Sequence, residues 1–391
     1  MSKIRLLVIS DLHTTINNNF SDDSRLNFSD GKSEFGDGII NFLKSLDLEF
    51  DAILCAGDIT NKACKQSFSA GWDYVNSIQK SLNIPRLFTV PGNHDHNSRV
   101  GDDYSPIHNL QFYKPSSPLS SHEKNTHFWA WNWCHLEEDK YNVVLLNSSA
   151  YHGYGDEFKH GRVALEVVDQ IKEHMSHNNT REKIFNILLC HHHPEKMEYI
   201  DHDYDTEQME GGKYLIDKLQ DIDKGPWLII HGHKHFANLS YASSNNNCPA
   251  IVLSAGSLSA KLYPSIKDRT SNQLYIIEVD INKTDLEGKL FGTVLTYEWD
   301  MVSGWKPSRS ENLPARGGFG CADTPKSLAQ QIIKKFDEKE NIKFIDSNDI
   351  TEIQSKIDNL PPIDFRRLVQ KLEEAGFSLS IDQNKIIEVG K

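Results

Sequence analysis

Ile4-Arg5-Leu6-Leu7-Val8-Ile9-Ser10-Asp11-Leu12-His13 is a short apolar run that stops at a metal-ligand pair, and the same design recurs four times downstream. Ala52 to Cys55 leads to Gly57-Asp58, and Leu87 to Val90 leads to Gly92-Asn93-His94-Asp95. Ile184 to Leu189 leads to Cys190-His191-His192-His193, and Trp227 to Ile230 leads to Gly232-His233-Lys234-His235. Continuous apolar runs of this length read as strands buried on both faces. Helical spacing fills the intervals at 38–46, 67–82, 163–175 and 214–219, so strand and helix alternate and the fold class is α/β. Ligands in open α/β sheets collect where the carboxyl ends of strands meet loops, and each cluster stands at such an end. Asp11 and His13 are two residues apart, as are His233 and His235, so on extended backbone each pair points one way and can grip one ion.

Taken in order, D-x-H, GD, GNHD, H and GHxH resemble the motifs of the calcineurin-like metallophosphoesterase superfamily, most nearly its class III cyclic-nucleotide phosphodiesterase type. The resemblance spans roughly the first three quarters of the chain. It implies a four-layer αββα sandwich and two divalent transition-metal ions, Mn, Fe or Zn, a choice that suits carboxylate, imidazole and amide ligands. One ion is expected on Asp11, His13, Asp58 and His235, the other on Asp58, Asn93, His191 and His233, with Asp58 bridging. Two carboxylates cancel half the charge of two divalent ions, which leaves a pocket that attracts phosphate. The expected nucleophile is a hydroxide held between the ions.

His94 is the expected catalytic residue, protonating the departing oxygen, with Asp95 orienting its ring and favouring the imidazolium. Asn93, His94, His192 and Arg162 are expected to face substrate. The three consecutive histidines leave open whether His191 or His192 is the ligand. Alignment with the His-His-Pro-Pro form favours His191 and places His192 on the opposite side of the segment. Arg162, in His160-Gly161-Arg162, also reads as a solvated arginine at a helix start. Residues 127–133 alternate aromatic with small or polar side chains, a pattern of a core or edge strand that would also suit a base-stacking platform.

Ser/Thr protein phosphatases carry GDxVDRG and GNHE, whereas this chain has Gly57-Asp58-Ile59-Thr60-Asn61-Lys62-Ala63 and ends the third motif in Asp95. The missing arginine argues against a protein phosphatase. The resemblance implies hydrolysis of a small phosphodiester, a cyclic nucleotide or other nucleotide. Two alternatives stand beside it: a nuclease that works with a partner, and an inactive phosphoesterase-like scaffold.

The formal net charge of -13 speaks against a surface that tracks nucleic acid unless a partner supplies the basic face. Nothing in the sequence approaches the ~20 apolar residues of a membrane span. Six cysteines fall without C-x-x-C spacing, which disfavours a zinc knuckle or a disulfide framework, and the expected location is the cytoplasm. At 391 residues the chain exceeds what one core usually organises. The divisions read from composition are a catalytic domain over 1–303, a linker rich in Gly, Pro and Ser over 304–326, and a small α+β domain over 327–391. Three helices and a hairpin are predicted in that last unit, which has no His or Cys and is a candidate for partner docking or homo-oligomerisation.

Overall fold

Leu6, Leu7, Val8 and Ile9 are all fully buried in β1 (Lys3–Ile9), which is why the run shows no polar alternation. The strand is covered on both faces, as parallel strands inside layered α/β folds are. The computed structural model describes residues 3–16, 23–97, 107–108, 110–153, 157, 160–197, 208–243, 248–262, 270–339 and 343–391.

Next to β1 lie β2 (Ala52–Cys55) and then β3 (Arg86–Thr89), all parallel, with Leu6 opposite Ala52 and Ala52 opposite Arg86. On the other side of β1, β10 (Gln273–Asp280) runs antiparallel, and β11 (Gly292–Asp300) is antiparallel to β10. β11 therefore points the same way as β1. The helices α1 (Glu34–Ser45) and α2 (Lys65–Ser81) pack on this sheet, with Phe42 of α1 edge-on to Tyr297.

The second sheet has the order β4 (Trp133–Glu137), β5 (Tyr141–Leu146), β6 (Phe185–Leu189), β7 (Trp227–His231), β9 (Ile251–Ser254), β8 (Asn238–Tyr241). Its four central strands, β5, β6, β7 and β9, are parallel. Alternation sorts its side chains. Val143, Leu145, Ile187, Leu189, Leu228 and Ile230 join the core shared with the first sheet. Val144, Leu146, Leu188 and Ile229 join a second core with α4 (Leu165–Ser176) and α5 (Gly212–Gln220). Helix, sheet, sheet and helix thus form four layers.

The expectation of a linker over 304–326 fails. β12 (Gly304–Pro307) and β13 (Arg316–Phe319) both pair with β11, so the first sheet runs on past residue 303. Two of the glycines that suggest a linker serve close approach instead: a Cβ on Gly318 would collide with the carbonyl of Asp358, and one on Gly320 with that of Leu290. A second correction falls at residues 127–133. Most of that stretch is helical, within α3 (His122–Trp131), which is capped by Ser121 at its start and by Asn132 in the left-handed conformation at its end. Phe128 and Trp129 are buried, and the Trp129 indole N–H donates to the Ser117 carbonyl, so they make no base platform.

The C-terminal unit contains α7 (Pro325–Asp337), α8 (Thr351–Ile357) and α9 (Pro362–Glu374), preceded in the chain by the short α6 (Ile281–Glu287) of the main body. β14 (Phe344–Asp346), β15 (Ser378–Asp382) and β16 (Lys385–Gly390) form a three-stranded antiparallel sheet, one strand more than the predicted hairpin. These elements enclose their own core around Leu328, Ile332, Phe365 and Leu368. The unit docks on β13, with Gly318 N–H donating to the Leu360 carbonyl at 3.0 Å and Cys321 N–H to the Asn359 carbonyl at 3.0 Å. Among the described residues no helix is long and apolar enough to cross a membrane.

Candidate metal centre

The parallel strands of both sheets deliver their carboxyl ends to one rim, and all seven expected ligands meet there. Asp11 and His13 follow β1, Asp58 follows β2 and Asn93 follows β3. His191 follows β6, and His233 and His235 follow β7. Their donor atoms converge in two overlapping sets. Around one point, His13 Nε2 stands 3.1 Å from His235 Nε2 and 3.4 Å from Asp58 Oδ2, while His235 Nε2 is 3.2 Å from Asp11 Oδ1. Around the other, Asn93 Oδ1 is 3.0 Å from His191 Nε2 and 3.2 Å from His233 Nδ1, and Asp58 Oδ2 is 3.3 Å from His191 Nε2. Asp58 belongs to both.

The backbone that aims these groups is not the extended chain that the two-residue spacing suggests. Asp11, His13, Asp58, His233 and His235 all have φ between 47° and 78°. L-residues enter this left-handed region at a cost, and such outliers collect at functional sites where the surroundings enforce them. Asp11 and His13 converge because each reverses the chain locally, with Leu12 turned into the core. Glycine supplies the room: a Cβ on Gly92 would collide with the Asp58 carboxylate, and one on Gly232 with Ser10 and the Asp11 carboxylate.

The hydrogen bonds decide which of the consecutive histidines suits a metal. His191 Nδ1 lies 2.7 Å from the Ala56 carbonyl, which can only accept, so Nδ1 carries the proton and Nε2 turns its lone pair toward Asp58 and Asn93. His192 is bound differently. The hydroxyl of Ser148 accepts from the backbone N–H of His191 at 3.2 Å and of His192 at 3.1 Å, and lies 2.9 Å from His192 Nδ1. With both lone pairs taken, the hydroxyl donates its hydrogen to Nδ1, and the neutral ring holds its proton on Nε2. Proximity groups His192 with His191 and His233, yet an Nε2–H is a donor and not a ligand. His192 also lies on the same side as the centre, not opposite it, with its ring 4.4 Å from that of His233. Sequence reading missed Ser148; its one signal is its place directly after β5, at the carboxyl rim.

Burial and mutual charge shape the group's protonation. Burial alone would raise the Asp58 carboxyl, but His191 and His94 beside it hold it well below the usual carboxylate range. Burial likewise opposes charge on His191, and the neighbouring Asp58 overrides this and lifts it to about 9. The buried carboxylates thus favour positive charge among the surrounding rings, the role that divalent ions would take. Two nitrogens from different imidazoles face each other across 3.1 Å, and a buried carboxylate is shared by two rings, so the donor set fits two ions.

Three expected roles are corrected. Asp95 does not orient His94: one of its oxygens accepts from Thr60 N–H at 2.8 Å and the other from Gly92 N–H at 2.9 Å, so it ties the β2 loop to the β3 loop. His94 is edge-on to His13 with ring centroids 4.5 Å apart, and burial pushes it down to about 4, which leaves a neutral imidazole and not the expected imidazolium. Arg162 is engaged by the carboxylates of Glu157 and Glu210 and has no free charge to offer a phosphate. His231 closes β7 and stands outside the ligand groups. The buried rings of His96 and His152 extend the cluster behind His192, and no motif in the sequence marks them.

The family model for calcineurin-like phosphoesterases matches residues 4–247. Among solved structures, a purple acid phosphatase from yellow lupin (Lupinus luteus) seeds is 13% identical, with a TM-score of 0.46, covering 76% of this chain and 52% of its own. NAD nucleotidase from Haemophilus influenzae is 10% identical, with a TM-score of 0.36, covering 79% of this chain and 49% of its own. The chain spans about half the length of these proteins. No curated protein sequence matches it.

Proposed function

Because the chain belongs to the calcineurin-like phosphoesterase family, we propose that it hydrolyses small phosphodiesters of the nucleotide class, cyclic nucleotides included, with two divalent transition-metal ions. The observation that carries this reading is the pair of donor sets sharing Asp58 at the rim of both sheets. Asp11, His13, Asp58 and His235 would hold one ion, and Asp58, Asn93, His191 and His233 the other. Bound there, the ions supply Lewis acidity that acidifies water and neutralises charge on the attacked phosphate.

The remaining work falls to side chains. The neutral His94 imidazole, set on the backbone by its own N–H donating to Asp58 Oδ1 at 2.7 Å, is placed to donate a hydrogen bond to the departing oxygen, which would take its proton from solvent. His192 Nε2–H, buried and without a hydrogen-bond acceptor, donates to a nonbridging phosphate oxygen. Asn93, as an amide, binds without cancelling further charge.

Diesters are favoured over protein phosphates because Lys62 stands where the protein-phosphatase motif has its arginine and Asn61 where it has the preceding aspartate, and both bind Asp23, at 2.8 and 2.9 Å. The six cysteines form no disulfide among the described residues, as in a reducing compartment, so the proposal places the reaction in the cytoplasm. A panel of phosphomonoesters, linear diesters and cyclic nucleotides, assayed with manganese beside Asp58→Ala, tests it. Diester turnover lost in the variant is the expected result; monoesters as the sole substrates, or an active Asp58→Ala, would overturn it.

A further inference from the structure

β11 ends at the same rim as the ligands of β1 and lies two strands away, roughly 10 Å across the sheet. At the β11 end of that rim opens a cavity of about 800 Å³, large enough for a nucleotide-sized group. Ser24, Arg25, Lys261, Asn272 and Trp299 line it. Its floor is tied to the metal centre: the Ser24 and Ser259 hydroxyls both donate to the carbonyl of Leu12, the residue between Asp11 and His13.

Arg25 is held for binding and is not left to wander. Its guanidinium carbon lies 3.9 Å from the centroid of the Trp299 ring, and its Nε donates at 3.1 Å to Oδ1 of the buried Asn272. Asn272 is fixed in turn by donating to the Ala260 carbonyl at 2.9 Å. Among the described residues Arg25 makes no ion pair, and the carboxylate nearest Lys261 on the adjoining wall, Asp23, is already engaged by Lys62 and Asn61. The acid that also lines the cavity, Asp300, is engaged by Lys306 at 3.2 Å. In a chain of net charge -13, two cations on one cavity wall, one of them stacked on Trp299 and clamped by Asn272, make a local anion site.

We propose that this groove binds a second phosphate of the substrate, one nucleoside away from the scissile one, so that the preferred substrate is a linear nucleotide diester with a further phosphate and not a cyclic nucleotide alone. The proposal rests on the phosphodiesterase reading above and names the substrate class of that site. Arg25 offers its terminal N–H groups in a fork, Lys261 adds charge, and Trp299 keeps the guanidinium plane in place.

The test compares a 5′-phosphorylated dinucleotide with the dinucleoside monophosphate that lacks the outer phosphate. Calorimetry on the phosphorothioate-linked, slowly hydrolysed forms of both reads affinity, and hydrolysis of bis(p-nitrophenyl) phosphate reads the centre itself. Wild type is expected to bind the phosphorylated form at least about tenfold more tightly. In the Arg25→Ala/Lys261→Ala double variant that ratio falls to near one, with bis(p-nitrophenyl) phosphate turnover unchanged, and Arg25→Lys restores part of it. Equal affinities in wild type, or a preference that survives in the double variant, would overturn the groove assignment. Failure to hydrolyse bis(p-nitrophenyl) phosphate would instead count against the phosphodiesterase reading, since the affinity ratio does not depend on turnover.

Discussion

Ser148 shows how much of this site is set by single hydrogens. One hydroxyl accepts two backbone N–H groups and donates to His192, so it fixes both the path of the His191 segment and the proton of the next ring. Removing an outer-shell partner of this kind costs about 10–100-fold in activity or metal affinity. Ser148→Ala is therefore expected to lose kcat/KM in that range while still loading two ions, as read by elemental analysis of the purified protein. Asp58→Asn takes away a ligand of both sets, so its loss must exceed about 100-fold and its metal content must fall. Ser148→Ala with full activity would remove the tautomer argument for His192.

At the scale of elements, the joint between β1 and β10 explains how an antiparallel strand is kept in register beside the ligand-bearing one. Glu278 of β10 accepts from Lys3 at 2.8 Å and from Arg5 Nη2 at 2.7 Å. Burial would raise its carboxyl, but the two cations hold it below its ordinary value. A carboxyl depressed in the folded state contributes stability that is complete above its unfolded pKa and lost as pH falls through the folded one. Glu278→Gln should therefore lower the urea midpoint at pH 7, and the gap from wild type should close as the pH is taken below the ordinary glutamate range. A gap of constant size would assign the loss to packing. Helix α3 offers a second check. Asn132 ends it at φ 63°, where a residue with a Cβ and no local hydrogen bond is strained by about 1–2 kcal/mol. Asn132→Gly should be tolerated and Asn132→Val should lower the midpoint.

Over the whole molecule, the centre is a junction between two sheets that no single segment holds together. Candidate ligands from β1, β2 and β3 meet candidate ligands from β6 and β7, so ions bound there would tie the sheets across their common core. A ligand that binds only the native state adds about 2.7 kcal/mol at a hundredfold excess over its Kd. Chelation is thus expected to abolish turnover and to lower the Tm by several degrees, with both restored by manganese; an unchanged Tm would argue against ions bridging the sheets. The C-terminal unit has its own core, yet it pairs through Leu360 and Asn359 with the β13 edge. The parallel strands that lead to the clusters and the seven candidate ligand positions were legible in the sequence, because buried parallel strands are written as unbroken apolar runs and the polar clusters stand where each run stops. The positive φ values, the roles of Ser148 and Asp95 and the capture of Arg162 by Glu157 and Glu210 were not. Nor were the strands at 304–319, whose glycines mimic a linker. Each of these depends on which atoms from distant segments come within hydrogen-bond reach, and only the packing of one sheet on the other fixes that.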